Sequence, residues 1–176
     1  MVQAVRRPRP SGVLRADGQL SQSTEQELLS GLALTSFRLN GQFLALAEEM
    51  ARPVGLTAAW WQVLGAVLND SLPVAGIARE MGMARQSVQR IADLLVDRGL
   101  AEYHPNPAHR RAKLVVPTAQ GRNAVRAINP AHAEVASRLA SAMGEAEMAS
   151  ALAAMRRVCE VLDQLDVEAA ESARAG

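Results

Sequence analysis

Eight polar or cationic side chains form two groups near the middle of the chain. The first group lies within six consecutive positions, and the second follows about twenty residues later, at a turn rich in proline and asparagine. The members are Arg85, Gln86, Ser87, Gln89 and Arg90 in the first group, and Arg110, Arg111 and Lys113 in the second. Guanidinium and amide groups can donate to base edges, and clustered cations can neutralise phosphates. This chemistry indicates a nucleic acid as the partner.

The distribution of charge also favours an anionic partner for the centre of the chain. The formal net charge is only +1 at pH 7. Residues 79–113 nevertheless carry seven cationic and four acidic side chains, whereas residues 145–171 carry two cationic and seven acidic ones. We therefore expect the central segment, and not the acidic end, to meet the anion.

The elements that must position the first group read as three short helices. The segment after Thr57, "AAWWQVLGAVLND", predicts the first helix, "VAGIAREMG" the second and "ARQSVQRIADLLVDRG" the third. Gly82 can adopt the positive φ of a tight turn, and Gly99 can close the third helix. The buried face of the third helix is expected to comprise Val88, Ile91, Leu94 and Leu95.

The second group is expected at the tip of a β-hairpin. The short strand candidates "LAEYH" and "KLVVP" flank the turn, so residues 100–117 predict a hairpin. Three helices followed by a hairpin form a winged helix-turn-helix. The third helix of such a unit can enter a major groove, while the hairpin lays its arginines along the backbone or into the minor groove.

The flanking segments predict a tail and two dimerisation regions around a winged helix-turn-helix domain at 53–118. Residues 1–22, which include "RRPRP", are expected to form a flexible basic tail. Residues 23–52 predict one long helix, which suggests a stalk between subunits. Its apolar seam consists of Leu28, Leu32, Leu39, Phe43, Leu46 and Met50.

The C-terminal part predicts two more helices over residues 119–167 and a frayed tail at 168–176. Pro130 is expected to kink the first of these helices. The second has a 4-3-4-3 spacing typical of a helix–helix seam. That seam consists of Met148, Leu152, Met155, Cys159 and Leu162.

These segments together resemble the MarR-type transcriptional regulators. The likeness covers roughly residues 25–166 and is carried by "GLTAAWWQVLGAV", "VAGIAREMGMARQSVQRIADLLVDRGLAEYHPNP" and "HRRAKLVVPTAQG". The resemblance implies a mainly α fold, with a winged helix-turn-helix and with first and last helices that form a homodimer interface. It also implies a repressor that releases DNA when it binds a small aromatic or phenolic ligand, or on oxidation.

The resemblance assigns roles residue by residue. The positions that match the family pattern are Arg85, Gln86, Ser87 and Arg90 in the recognition helix, Arg110 and Arg111 in the wing, and Trp61 in the tryptophan helix. Two positions depart from the pattern. His109 stands where an acidic residue often precedes the arginine pair, so a charge-assisted bond to the arginine is lost. Ala84 stands where a Ser or Thr cap is common.

A ligand site is expected from four residues that offer stacking surface and one cation: Phe37, Arg38, Trp60 and Trp61. Arg38 could bind a carboxylate, although a plain surface role is the alternative. Adjacent helical side chains point about 100° apart, so Trp60 and Trp61 cannot both face one core. One of them could pack inside while the other lines the ligand cleft.

Other kinds of site are not expected, and no cofactor is implied. Glu102, His104 and His109 match none of the usual ligand spacings, so no metal is predicted. Cys159 is the single cysteine and is expected to pack in the dimer interface; a redox-responsive regulator is the alternative.

The remaining function classes find little support. No nucleophile triad, phosphate loop or HExxH motif stands out, so an enzyme is not predicted. A protein-interaction adaptor that uses the acidic C-terminal helix remains an alternative. The absence of an apolar run of 18 residues, of a signal peptide and of a cysteine pair favours a cytoplasmic protein without membrane contact.

Overall fold

The computed structural model describes residues 22–175, so the tail predicted for residues 1–22 lies outside the described part apart from Gln22. The chain forms two compact units, and the boundary between them lies at Ala58 and Ala59. Among the described residues, no helix is both long and apolar enough to cross a membrane.

The first unit is dominated by one long helix, as the sequence predicts. Helix α1 spans Gln22–Ala51 and continues into a single 3-10 turn at Arg52–Val54. Gly55 ends this turn with φ of 76°, a conformation that suits glycine, and its amide donates to the Arg52 carbonyl at 3.1 Å. Near the end of the unit, the Ala58 amide donates to Glu48 Oε2 at 2.7 Å.

The chain after α1 contains the predicted helices and hairpin, together with one strand that was not predicted. The elements are α2 (Ala58–Ala66), β1 (Leu72–Pro73), α3 (Val74–Glu80), α4 (Arg85–Asp97), β2 (Ala101–His104) and β3 (Leu114–Pro117). Gly82 and Gly99 have φ of 61° and 69°, which confirms their predicted roles after α3 and α4. The fold is therefore a mainly α winged helix-turn-helix.

The three strands form one antiparallel sheet in the order β1-β3-β2. In the hairpin, Tyr103 lies opposite Val115 and His104 lies opposite Leu114. Strand β1 pairs with β3 through only two residues, Leu72 and Pro73. Pro73 has no amide hydrogen for a ladder, so its place on a short edge strand is the expected one.

The core of the winged helix brings α2, α3, α4 and β3 together. Its fully buried side chains include Val63, Leu64, Val67, Ile77, Val88, Leu95 and Val115. The prediction for α4 was wrong at Leu94, which is 40% exposed, and Ala92 is buried instead. The helical period of 3.6 explains the exchange, because Val88, Ala92 and Leu95 share one face and Leu94 lies about 100° from Leu95.

The region after the wing contains three helices, where the sequence predicted two. These are α5 (Ala119–Arg126), α6 (Asn129–Met143) and α7 (Glu145–Ala175). The expected kink at Pro130 is a break between α5 and α6. Pro130 has no amide hydrogen to donate to the Arg126 carbonyl, and the proline ring crowds that carbonyl. The backbone therefore forms a tighter i to i+3 turn before α6, in which the Ile128 amide donates to the Val125 carbonyl at 3.0 Å.

The last helix extends into residues 168–175, the segment that is expected to fray. Helix α7 continues as far as Ala175. The segment "EAAESARA" contains alanine, glutamate and arginine, which are good helix formers, and no glycine or proline before Gly176.

A tight junction fixes the wing to α5. The Thr118 hydroxyl caps α5 by accepting from the Gly121 amide at 3.1 Å, and it donates to the Gly99 carbonyl at 2.7 Å. The Thr118 amide donates to the Leu100 carbonyl at 3.1 Å. A Cβ on Gly121 would overlap that same Leu100 carbonyl oxygen. The "TAQG" stretch therefore contains a helix cap, Thr118, and a position, 121, where only glycine fits because it has no Cβ.

Candidate nucleic-acid interface

Helix α4 presents the first predicted group as an exposed polar face. Arg85, Gln86, Gln89 and Arg90 are exposed, and Ser87 is half-buried. Ala84 adopts an extended conformation before the helix and provides no side-chain cap. The Ser87 amide donates to the Ala84 carbonyl at 2.9 Å, so within the described residues the amides of Arg85 and Gln86 are the ones that keep their capacity to donate to an incoming phosphate.

Gln89 is held by two residues that the sequence analysis did not select. Its Nε2 donates to Asp93 Oδ1 at 2.9 Å and to the Tyr103 hydroxyl at 2.8 Å. The Tyr103 hydroxyl in turn donates to Asp93 Oδ1 at 2.7 Å. We name these three residues the α4–wing cluster. The amide nitrogen of Gln89 is therefore engaged within the cluster, and its Oε1 takes no part in these bonds.

The environment of Tyr103 suppresses its ionisation. The pKa of the Tyr103 phenol is raised from 10.0 to about 12, mainly by burial and further by the hydrogen bond to Asp93 and the negative charge of that carboxylate. The hydrogen bond from Gln89 acts in the opposite direction. The phenol is therefore a neutral donor to Asp93 throughout the physiological pH range.

The second predicted group lies at the hairpin tip, between β2 and β3. The tip is shaped by Asn106, whose Oδ1 accepts from the Ala108 amide at 2.9 Å and whose carbonyl accepts from the His109 amide at 3.2 Å. Arg110, Arg111 and Lys113 are exposed. Within residues 22–175 none of these three cations has an acidic partner, so their charge is available to an anion.

Lys113 also connects the tip to the α4–wing cluster. Its Nζ lies 5.9 Å from the centroid of the Tyr103 ring. This distance is near the outer limit of a cation–π contact. The contact places one cation of the wing above the ring whose hydroxyl is bonded to α4.

The residues considered for a metal do not converge. His104 Nε2 lies 3.0 Å from Glu102 Oε2 on β2, and both side chains are exposed. In the described part of the chain, no three His, Cys, Asp or Glu residues are close enough to hold an ion together. The pair is a surface contact between alternate residues of one strand.

The four residues predicted to bind a ligand have different surroundings. The Trp60 ring lies under the Arg98 guanidinium, with 4.5 Å between Cζ and the ring centroid. Trp61 meets His132 of α6 edge to face, with ring centroids 6.0 Å apart. Phe37 and Arg38 belong to the first unit and are exposed on α1, Phe37 by 72%. Arg98 and His132 were not predicted as partners of the tryptophans.

Comparison with known proteins identifies the family of proteins to which this fold and this polar surface belong. A family model described as the MarR family matches residues 54–112. The uncharacterized protein Rv2011c of Mycobacterium tuberculosis is 37% identical over 134 residues, which cover 76% of this chain and 94% of that protein. The chain belongs to the MarR family.

Two solved structures share the fold. A mutant MarR from E. coli in complex with operator DNA has a TM-score of 0.63 at 22% identity, covering 73% of this chain and 93% of the other. BpsR of Bordetella bronchiseptica, whose DNA binding is regulated by 6-hydroxynicotinic acid, has a TM-score of 0.63 at 21% identity, covering 73% of this chain and 98% of the other.

Family membership fixes the broad function. The protein is a DNA-binding transcriptional regulator of the winged-helix type, as the sequence predicts. Members of the family are transcription regulators and not enzymes.

Proposed function

We propose that the protein is a cytoplasmic repressor that binds an inverted-repeat operator as a homodimer. The observation that carries the proposal is the exposed polar face of α4 beside a wing tip whose cations have no acidic partner in the described part of the chain. An α-helix fits the major groove, where each base pair presents its own donor and acceptor pattern.

Each group of residues has its own task in this proposal. Arg85 and Gln86 read base edges, because they stand at the start of α4 with exposed side chains. Ser87 and Arg90 bond to phosphates on either side, and Gln89 contributes through its Oε1, the amide atom that the cluster leaves unbonded. Arg110, Arg111 and Lys113 neutralise phosphate or minor-groove potential. The helix thus supplies specificity and the wing supplies affinity.

The homodimer proposal rests on apolar side chains that the single chain leaves exposed. They are Leu28, Leu32, Phe37 and Phe43 on α1, and Leu139, Leu152, Met155, Leu162 and Leu165 on α6 and α7. Soluble monomers rarely expose this much apolar surface on two long helices. A two-fold dimer would bury these side chains and present two copies of α4 to DNA.

Light scattering at micromolar concentration tests the dimer. The full chain should have twice the mass of one chain, and Leu152→Glu with Met155→Glu should shift it toward the monomer. Gln164→Glu is the matched control, because it adds a charge on the opposite face of α7. A stable, folded monomer of the unaltered protein would contradict the proposal.

Selection of genomic fragments by the purified protein tests the repressor proposal. The recovered fragments should share an inverted repeat upstream of regulated genes, and fluorescence anisotropy should show tighter binding to this repeat than to random DNA. Both affinities should fall with added salt. An adaptor that acts through its acidic C-terminal helix would show neither selection nor salt-sensitive binding.

Control by an aromatic acid or phenol is the second part of the proposal. Its support is the regulation of BpsR by 6-hydroxynicotinic acid and the aromatic and cationic character of Phe37, Arg38, Trp60 and Trp61. A ligand that prefers the DNA-free state lowers DNA affinity tenfold with about 1.4 kcal/mol of differential binding.

Tryptophan fluorescence tests this control with 6-hydroxynicotinic acid and simple phenolic acids as probes. Quenching and release of operator DNA should occur over the same range of concentration. If no probe causes release while oxidation of Cys159 does, the ligand proposal is wrong and the redox-responsive alternative replaces it.

A further inference from the structure

The α4–wing cluster joins the two elements that are proposed to contact DNA. Gln89 and Asp93 stand one helical turn apart on α4, and Tyr103 stands on β2 of the wing. Three hydrogen bonds of 2.7–2.9 Å connect the three side chains. Every donor and acceptor role is consistent, since Asp93 accepts twice and the Tyr103 hydroxyl donates once and accepts once.

The cluster lies where the wing leaves the core. Ala101, at the start of β2, is buried, whereas His104, at the end of β2, is exposed. Tyr103 is half-buried between them, opposite the fully buried Val115. Beyond Tyr103 the hairpin consists of exposed turn residues and of the cations at its tip. Within residues 22–175, the cluster therefore provides the side-chain hydrogen bonds that link α4 to β2.

The position of the tip is sensitive to this connection. Strand β2 is an edge strand, because the sheet has the order β1-β3-β2, so β3 supports it on one side only. Within residues 22–175, neither Arg110 nor Arg111 forms an ion pair that would hold the tip in place. Each strand residue adds about 3.3 Å, so a small rotation at Tyr103 moves the arginines by several times the displacement at the cluster.

We propose that Tyr103 and Asp93 are positioning residues, which hold the wing at a fixed angle to α4 so that Arg110 and Arg111 reach the same half-site as the recognition helix. The inference rests on the proposed function of α4 and the wing. Gln89 completes the cluster through its amide nitrogen. Its amide group therefore helps to hold the wing in position and does not donate to a base.

Tyr103→Phe is the most direct test, since it removes the hydroxyl and leaves the charge and the ring unchanged. The change breaks both hydrogen bonds of the Tyr103 hydroxyl, so operator binding should weaken by about fivefold. Amide hydrogen exchange at residues 105–113 should become faster, while exchange in the core helices stays the same. The melting temperature of the variant reports whether the fold is intact.

A double-mutant cycle separates positioning of the wing from a general effect on stability. In protein that carries Arg110→Ala and Arg111→Ala, Tyr103→Phe should cause no further loss, because the side chains that it positions are absent. Asp93→Ala should behave like Tyr103→Phe in both backgrounds. Asp97→Ala is the matched control, since it removes the same charge from the next turn of α4 and has no bond to Tyr103.

The outcomes distinguish this inference from the proposed function. A fivefold loss that disappears without the wing arginines supports positioning. An equal loss in both backgrounds, or no loss in either, overturns it while the proposed DNA contact of the wing stands. If the arginine double variant itself binds the operator like the unaltered protein, the proposed wing contact is wrong and the positioning role is wrong with it.

Discussion

The polar side chains of α4 differ in how freely they can meet DNA. Arg85 and Gln86 are exposed, and within residues 22–175 their side chains form no hydrogen bond that would have to break. Gln89, one turn later, is bonded to Asp93 and Tyr103. Base reading is therefore expected to depend on the start of the helix more than on its middle.

Arg85→Ala and Gln86→Ala should lower discrimination between operator and random DNA. A bidentate contact to one base contributes about 1–3 kcal/mol, so the operator affinity should fall by that amount while random DNA is affected less. Competition anisotropy measures both affinities. Arg156→Ala, which removes the same charge from α7, is the control. Equal losses on both DNAs would show that these side chains contact only the backbone.

The single tyrosine of the chain makes the α4–wing cluster directly observable. Absorbance at 295 nm should show Tyr103 ionising near pH 12 instead of pH 10. Because the pKa is raised in the folded state, the corresponding stability is present below pH 10 and is lost as pH rises toward 12. Asp93→Asn should lower the pKa. A transition at pH 10 in the unaltered protein would contradict the observed contacts.

The sequence predicted which residues of α4 are polar but not which of them are engaged. Residues 89 and 93 have the i,i+4 spacing of neighbours on one helix face, and this signal could have pointed to Asp93. Tyr103 lies ten residues further along the chain and meets Asp93 only once β2 has folded back along α4. No local pattern encodes that approach, so Gln89 was assigned to DNA alone.

The junction between the wing and α5 shows how two short motifs connect elements. Thr118 bonds to Gly99 and Gly121, and Gly121 lies against the Leu100 carbonyl. This arrangement connects the end of α4, the start of β2 and the start of α5 within one small volume. The stability of the winged helix is therefore expected to depend on it.

Gly121→Ala should destabilise the protein, because the new Cβ overlaps a backbone oxygen that cannot move freely. Overpacking of this kind costs about 1–3 kcal/mol, measured by urea unfolding. Gly65→Ala in α2 is the matched control; nothing lies within 4 Å of its new Cβ, and alanine should stabilise that helix by up to about 1 kcal/mol. Equal effects of the two changes would rule out the close contact.

The wing should contribute affinity without sequence preference. Arg110→Ala with Arg111→Ala removes two cations per subunit, and each lost phosphate contact flattens the log–log dependence of affinity on salt by about 0.9. A dimer should therefore lose up to four such contacts. Anisotropy at several salt concentrations measures the slope, and Arg156→Ala with Arg157→Ala is the control. An unchanged slope would show that the tip does not touch DNA.

At the level of elements, periodicity and turn residues predicted the helices of the winged domain and the hairpin. Gly82 and Gly99 marked the ends correctly, since their positive φ is a local requirement. The sequence did not predict strand β1, because this strand has only two residues, Leu72 and Pro73, which are too few to show an alternating pattern. The sequence predicted a kink at Pro130 where the structure has a break between α5 and α6. Whether a proline kinks or breaks a helix depends on which other hydrogen bonds the neighbouring backbone can form, and a local pattern does not reveal these.

The whole chain has a basic centre, an acidic C-terminal helix, and apolar side chains exposed on its long terminal helices. The cations proposed to contact DNA lie in residues 79–113, whereas within residues 22–175 the exposed large apolar side chains, except Leu94, lie on α1, α6 and α7. We propose that two chains associate through their terminal helices and that α4 and the wing remain available to DNA. The central claim is that the associated pair reads two copies of one half-site.

Hydroxyl-radical footprinting on a selected genomic fragment tests this claim most directly. The unaltered protein should protect two half-sites of an inverted repeat whose centres lie about one helical turn apart, since a two-fold dimer presents two recognition helices. Arg85→Ala should reduce both protections equally. Protection of a single half-site, of direct repeats, or of no discrete site at concentrations where the dimer is formed would contradict the account.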